Sequence, residues 1–275
     1  MNRRHTLPGF GLSLGVTISW LSLIVLLPLA ALAFRVAEQP WDAWWGLLRQ
    51  RRVLLALQLS FGGAVLAAFI DVVLGMLLAW VLVRYRFPWR RLCDALIDLP
   101  FALPTAVAGI ALTALYVPDG WLGRWLAVLG VQVAYTRLGV LMAMVFVGLP
   151  FAVRTLQPVL ESLEADVEEA AWTLGASRWQ RFHRVVLPVL TPALLTGFAM
   201  ALARAVGEYG SVIFISGNLP MRTEIVPLLI VQKIDGGGDI APAAMLGACM
   251  LLLSLLALLS VHGLQRWSGR WREVR

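Results

Sequence analysis

Six long apolar stretches divide the chain, and no other feature limits its fold as strongly. A helix of about 20 residues crosses a hydrocarbon core about 30 Å thick, and a single segment in lipid must satisfy its backbone hydrogen bonds within itself. We therefore predict an all-α polytopic membrane protein in which residues 1–275 form one transmembrane domain. The six predicted spans are residues 13–34, 57–83, 98–117, 137–158, 192–215 and 240–263.

The composition agrees with burial in lipid and excludes other classes. Hydrophobic residues make up 60% of the chain and charged residues 14%, whereas soluble domains average about 45–50% and about 25%. The net charge of +7 comes from arginines that flank the apolar stretches, so no basic stripe is available for nucleic acid. Two cysteines, Cys93 and Cys249, provide neither a disulfide framework nor a C-x-x-C metal site. We expect no nucleic-acid partner and no metal.

The distribution of arginines predicts the orientation in the membrane. If the N-terminus, with Arg3 and Arg4, is cytoplasmic, most of the other loop arginines also face the cytoplasm, including those of the C-terminal tail. The positive-inside rule then favours two cytoplasmic termini, although the cluster at 49–52 opposes it. A cleaved signal peptide ending near Ala31-Leu32-Ala33 is the alternative for the first span, but that stretch exceeds the usual core of about 7–15 residues.

The longest cytoplasmic loop, residues 159–190, has the pattern of two short helices. Asp166 followed by Glu169 is typical of a capping box that begins a helix. Gly175 is the residue type that ends a helix in the left-handed conformation. The apolar positions of this first helix follow an i, i+3, i+4, i+7 pattern, and they are Val167, Ala170, Ala171 and Leu174.

A second capping box, Ser177 with Gln180, predicts the second loop helix. It places Trp179 and Phe182 opposite arginines, a pattern typical of a helix on anionic membrane lipid. Thr191-Pro192 then suits the N-cap and first turn of the fifth span. From these patterns alone, the loop is either a connector lying on lipid or a docking surface for another protein.

The loop resembles the EAA loop of bacterial ABC importer permeases. The residues that carry this resemblance are Glu169, Ala170, Ala171, Gly175, Leu187 and Pro188. In that family the loop is a coupling helix that docks into a groove on a cytoplasmic ATPase. The resemblance therefore implies that these residues contact an ATPase.

The resemblance extends along nearly the whole chain. Residues 84–109, 149–161 and 203–218 are similar to the T-type permeases of sulfate and thiosulfate importers. It implies a MetI-like fold, a bacterial inner-membrane location, a second (W-type) permease subunit, two copies of an ABC ATPase and a periplasmic sulfate- or thiosulfate-binding protein. Importers of molybdate, tungstate or another oxyanion are the alternative.

Two ionisable residues in the fifth span, Arg204 and Glu208, are spaced i,i+4 and lie on one helix face. Charges at this depth are costly and usually face a partner or a water-filled cavity. They are candidates for the transport path or gate, or they form a structural ion pair. Asp71 in the second span is a third such residue, and its pairing with Arg204 is a further hypothesis.

Small residues and prolines supply the remaining candidates. Gly207 belongs to a stripe that would let another helix approach closely, together with Ala199, Ala203 and Ser211. In the third span, Pro100 and Pro104 remove helix hydrogen bonds. We expect either a bent start to the path, with Pro104 and Thr105 beside it, or a tolerated kink.

Two other functional classes lack support in the sequence. An intramembrane enzyme would need a motif such as H-E-x-x-H or G-x-S-x-G, and neither is present. No Walker A loop is present either, so ATP hydrolysis falls to another chain. We expect no catalytic residues and no cofactor, and a passive channel is distinguished by whether uptake needs an ATPase.

Overall fold

The computed structural model describes residues 10–163, 165–236 and 240–270, and within these ranges all regular secondary structure is helical. Arg3, Arg4 and the tail arginines Arg272 and Arg275, which entered the orientation prediction, lie outside the described residues. The helices are α1 (Phe10–Ala37), α2 (Trp41–Leu48), α3 (Arg51–Arg84), α4 (Arg90–Ile97), α5 (Leu99–Ala102), α6 (Thr105–Tyr116), α7 (Gly123–Val128), α8 (Arg137–Glu161), α9 (Ala165–Thr173), α10 (Arg178–Val206), α11 (Gly210–Ser216), α12 (Val226–Asp235) and α13 (Ala241–Arg270).

Five helices of the described chain are long and apolar enough to cross a membrane: α1, α3, α8, α10 and α13. The predicted third span is instead divided into α5 and α6. α6 has 12 residues, too few to cross about 30 Å of hydrocarbon alone at about 1.5 Å per residue. The segment from α5 to α7 nevertheless connects α4 to the start of α8, and these two lie at opposite ends of the bundle. Leu103 is extended, with φ −83° and ψ 134°, because proline disfavours the helical conformation in the residue before it. Pro104 thus interrupts the helix rather than merely bending it.

The predicted fifth span is displaced along the chain. α10 begins at Arg178 and ends at Val206, and α11 follows after a short break. Thr191 does not cap a helix, since its hydroxyl donates to the Leu187 carbonyl, 2.8 Å away, inside α10. Pro192 likewise lies inside the helix. The N-cap prediction for Thr191 is therefore wrong, because the second loop helix and the span form one continuous helix.

Helices α3, α8 and α10 form the centre of the bundle, and glycines let them approach closely. A Cβ added at Gly75 of α3 would lie 2.8 Å from the Ala152 Cβ of α8. A Cβ added at Gly197 of α10 would lie 3.4 Å from the Cα of the same Ala152. Small residues thus allow the three helices to pack closely against one another around Ala152.

The bundle has two distinct ends. At one end, which we call the α9 end, α4 and the start of α10 pack against the last turns of α3 and α8. At the opposite end, the α12 end, α2 and the first turns of α3 and α13 surround α12. Helix α1 packs against α13, and no residue in its most apolar stretch is buried. This exposed helix has an apolar surface for lipid or another membrane chain.

Candidate functional site

Helix α9 has an exposed surface at the α9 end of the bundle. Glu169 and Ala170 are exposed and Ala171 is half-buried. Val167 and Leu174 of the predicted apolar stripe are 47% and 87% exposed. Large apolar side chains grouped on a projecting helix are typical of a contact surface for a partner. The geometry is consistent with the predicted docking role of Glu169, Ala170 and Ala171, which stays a prediction.

Gly175 ends α9 in the left-handed conformation, with φ +81°. Its N–H donates to the Trp172 carbonyl at 2.8 Å, and the Ala176 N–H donates to the Ala171 carbonyl at 3.0 Å. These two bonds form a Schellman motif, which satisfies carbonyls that a helix end leaves free. A Cβ added at Gly175 would meet no atom of the described chain within 4 Å. Any close contact at this position must therefore come from a partner.

The two predicted capping boxes differ in outcome. Ser177 and Gln180 form theirs: the Gln180 N–H donates to the Ser177 hydroxyl, and the Ser177 N–H donates to the Gln180 side chain. The box predicted at Asp166 is wrong, because the described helix begins at Ala165 and places Asp166 in the first turn. There Asp166 still favours the helix through the dipole.

An ion pair joins α9 to the end of α3. Arg84 pairs with Glu168, and both side chains are largely covered, at 23% and 21% exposure. Beside it, the Trp80 ring of α3 meets the Phe182 ring of α10 edge to face, with centroids 6.0 Å apart. Glu168 could not be predicted from the sequence, because pairing between separate helices leaves no pattern in residue spacing. The loop is thereby tied to the centre of the bundle.

Leu187 and Pro188, the end of the resemblance motif, lie inside α10. A π-helical turn, Phe182–Val186, precedes them. Proline cannot donate a backbone hydrogen bond, and such turns accommodate local breaks in helix bonding. Leu187 and Pro188 thus lie directly after the π-helical turn, where the second loop helix continues into the long part of α10.

Arg204 and Glu208 form an ion pair where α10 gives way to α11. Glu208 is 1% exposed, and its other oxygen accepts from the Ser211 N–H at 2.9 Å and from the Ser211 hydroxyl at 2.8 Å. The carboxylate therefore also caps α11, which the i,i+4 spacing alone does not reveal. Arg204 is 28% exposed and Gly207 beside it is exposed. A role in gating stays a prediction.

The helix break at Pro104 lies against the junction of α10 and α11. A Cβ added at Gly210 would overlap the Thr105 side chain, lying 2.9 Å from its Cβ. A Cβ added at Gly109 would lie 2.8 Å from the Ser211 Cα. The structure thus brings together Thr105 of α6, Ser211 of α11 and the Arg204–Glu208 pair, all predicted separately. Pro104 itself is exposed.

Asp71 lies apart from this junction and does not pair with Arg204. It is fully buried, and neither carboxyl oxygen has a hydrogen-bond partner within the described ranges. A Cβ added at Gly148 of α8 would overlap one of these oxygens. An unpaired carboxyl group at such a position is costly, and the structure shows no contact that accounts for it.

Two clusters of ion pairs between helices were not predicted from the sequence. Arg154 of α8 binds Asp98 with two nitrogens, at 2.8 and 2.6 Å, and Asp94 at 2.6 Å, so it fixes α4 to α8. At the α12 end, Arg52 binds both oxygens of Glu224, at 2.7 and 2.6 Å. Glu224 is 1% exposed. Both arginines make bidentate contacts with a carboxylate, a geometry that lysine does not offer.

The class of protein follows from comparison with known families. The family described as "Binding-protein-dependent transport system inner membrane component" matches residues 71–270, and the chain belongs to this family. It is therefore a multi-pass transport component of the inner membrane and not an enzyme.

Curated relatives are similar over nearly the whole chain. The sulfate transport system permease protein CysT of Escherichia coli (strain K12) is 47% identical over 270 residues, covering 98% of this chain and 97% of the relative. Its counterpart in Synechocystis sp. (strain ATCC 27184 / PCC 6803 / Kazusa) is 46% identical, covering 93% and 89%. The resemblance predicted from the sequence is confirmed.

Solved structures show the same fold. A bacterial ABC transporter involved in the import of alginate matches with a TM-score of 0.76 at 17% identity, covering 94% of this chain and 96% of that chain. The MetNI methionine ABC transporter, in inward-facing conformations, matches with a TM-score of 0.60 at 16% identity, covering 84% and 99%. The predicted MetI-like permease fold is thereby confirmed.

Proposed function

We propose that the chain is the T-type membrane subunit of an ATP-driven importer of sulfate and thiosulfate. The observation that carries this proposal is the 47% identity, over 98% of the chain, to a sulfate permease. Because the identity covers nearly the whole chain, the similarity includes the membrane-spanning helices as well as the loop.

The surfaces of the chain support the partners that we propose. A cytoplasmic ABC ATPase, in two copies, docks onto α9, whose apolar side chains are exposed. A W-type permease covers the exposed side of α10 near Ala203 and Gly207, where small residues allow close helix packing. A periplasmic binding protein delivers the oxyanion at the α12 end. Both termini are then cytoplasmic.

Transport proceeds by alternating access. When the ATPase dimer closes, α9 moves with it, and the Arg84–Glu168 pair transmits that movement to α3. Because α3 packs closely on α8, the centre of the bundle moves with it as a unit against the other permease. The break at residues 207–209 lies beside the path, where Arg204 offers a cation to a passing dianion. The paired Glu208 weakens that attraction, so the anion is released.

Complementation tests this function. In a bacterium that lacks its own T-type subunit, we expect this chain with cognate partners to restore growth on sulfate and uptake of labelled sulfate. Unlabelled thiosulfate should compete more strongly than molybdate. Uptake of molybdate without uptake of sulfate would reject the proposed substrate, whereas sulfate uptake that persists without the ATPase would reject the importer mechanism.

A further inference from the structure

Among the residues that the structure describes, three arginines at and just before the start of α4 have no acidic partner. Arg86 and Arg91 are exposed and Arg90 is half-buried, and no ion pair within the described ranges includes them. The acids of α4 balance them only in part, because Asp94 and Asp98 are both bound to Arg154, which leaves one negative charge against three positive ones. This part of the α9 end therefore carries an unbalanced positive charge.

The same helix has an exposed apolar side. Leu92 and Leu96, one turn apart, are 50% and 51% exposed. Ile97 occupies the buried side instead, within the core at this end. Helix α4 thus has one side in the core, one side paired to α8, and one side apolar and open, with Arg91 at its border.

Aromatic residues flank this open side. Tyr85 and Trp89 are 57% and 74% exposed. Trp89 has φ +73°, a left-handed conformation that is unfavourable for a non-glycine residue. Tyr85 also continues, at i+4 spacing, the row of exposed α3 residues Leu77 and Val81. The open side of α4 is thereby continuous with the apolar side of a membrane-spanning helix.

We propose that this surface, the α4 patch (Tyr85, Arg86, Trp89, Arg90, Arg91, Leu92 and Leu96), binds the headgroup of an anionic phospholipid of the inner leaflet. Arginines donate to phosphate, exposed leucines enter the acyl boundary, and tryptophan and tyrosine lie at headgroup depth. The proposal rests on the proposed function for one point, that the α9 end is cytoplasmic.

Native mass spectrometry of the purified full chain tests the patch. We expect phosphatidylglycerol to be retained in preference to phosphatidylcholine, and excess inorganic phosphate not to displace it. The variant R86Q/R90Q/R91Q should bind phosphatidylglycerol at least about fivefold more weakly, since each basic residue near an anionic surface contributes about 1 kcal/mol. The matched control R49Q/R51Q/R124Q removes the same charge from three arginines that the proposed orientation places outside and should bind it normally.

Other outcomes separate this proposal from its alternatives. Equal binding of phosphatidylglycerol by the triple variant and the control would overturn it. So would normal lipid binding with the ATPase lost from membranes, since the patch would then belong to a protein partner. If the triple variant is not monodisperse, the single variants R86Q and R91Q, at exposed positions, replace it. Lipid binding by the isolated chain does not depend on sulfate uptake, so the two proposals fail independently.

Discussion

Gly175 combines a left-handed backbone with open space around it, and this combination allows a sharp test of the loop. For Gly175→Asp we expect normal insertion and abundance, no sulfate uptake and weaker retention of the ATPase on membranes. The left-handed backbone costs most non-glycine residues roughly 1–2 kcal/mol and aspartate less, so the main effect comes from the side chain, which would enter the space that the ATPase occupies. Co-sedimentation of the ATPase with membranes, beside labelled-sulfate uptake, measures both effects.

Gly130 supplies a matched control. It also has a positive φ, +73°, and a Cβ added there would likewise meet nothing within 4 Å. Gly130→Asp therefore carries the same backbone strain without touching the loop, and we expect it to retain the ATPase fully. Full ATPase retention and normal uptake in the Gly175→Asp protein would return the loop to a connector lying on lipid.

The Arg204–Glu208 pair predicts a rescue experiment. Glu208→Gln keeps an acceptor oxygen for Ser211 but leaves Arg204 unpaired, and breaking a buried pair in this way costs about 3–5 kcal/mol. Because Arg204 is 28% exposed, we expect an effect at the lower end of that range. Adding Arg204→Gln should partly restore sulfate uptake per assembled complex. Losses that simply add would show that the two residues act separately.

At the residue scale, the sequence predicts local chemistry better than contacts between helices. The Ser177–Gln180 box, the φ of Gly175 and the Arg204–Glu208 spacing all depend on neighbours within a few residues. Glu168 and Glu224 find their arginines on distant helices, and only the fold brings those partners together. Both the capping-box pattern and the resemblance point to Glu169, whereas the adjacent Glu168 makes the internal contact.

At the scale of elements, the link between α9 and α3 is open to charge exchange. Either single reversal, Arg84→Glu or Glu168→Arg, places like charges together and should lower sulfate uptake while the ATPase stays bound to α9. The exchanged double variant restores the attraction, and we expect it to recover much of the uptake. ATP hydrolysis measured alongside uptake should show weaker coupling in the single variants.

The control for this exchange is the pair Arg35 and Glu38, which are 57% and 68% exposed at the end of α1. Exposed pairs contribute about 0–1 kcal/mol, so reversing either charge should leave uptake unchanged. Failure of the double exchange at α3 and α9 to recover any uptake would remove the pair from the coupling route.

The sequence predicts the ends of a helix better when the length of an apolar stretch determines them than when a proline does. The second predicted span, 57–83, lies within α3, and the fourth, 137–158, lies within α8 and shares its first residue, because each of these helices is apolar and continuous. Pro192 predicts a helix start, yet it lies inside α10, where the neighbouring turns accommodate it. Pro104 predicts a bend or a tolerated kink, whereas the helix is interrupted there. The packing of α6 against α11 at Gly109 and Gly210 accompanies this break.

At the scale of the whole molecule, the orientation can be tested with two exposed leucines. Leu174 is 87% exposed beside α9, and Leu129 is 75% exposed beside α7. In a chain whose two native cysteines are replaced, Leu129→Cys should react with a membrane-impermeant maleimide in spheroplasts. Leu174→Cys should react only after permeabilisation. The reverse pattern would place α9 outside and contradict an ATPase contact there.

The fold of the whole chain was predictable chiefly through resemblance. Apolar stretches indicate a helical membrane protein, but they do not show that α3, α8 and α10 form the centre or that α1 lies at the edge. The close packing of the three central helices involves Gly75, Gly197 and Ala152. Their small size becomes informative only when the neighbouring helix is known.

Uptake by a reconstituted complex tests the central claim most directly. This chain, a W-type permease, the ATPase and the binding protein would be placed together in proteoliposomes, and accumulation of labelled sulfate would be followed with and without ATP. We predict sulfate uptake that requires ATP and the binding protein and is abolished by Gly175→Asp. Equal uptake without ATP, or no uptake of sulfate by a complete and ATP-hydrolysing complex, would contradict this account.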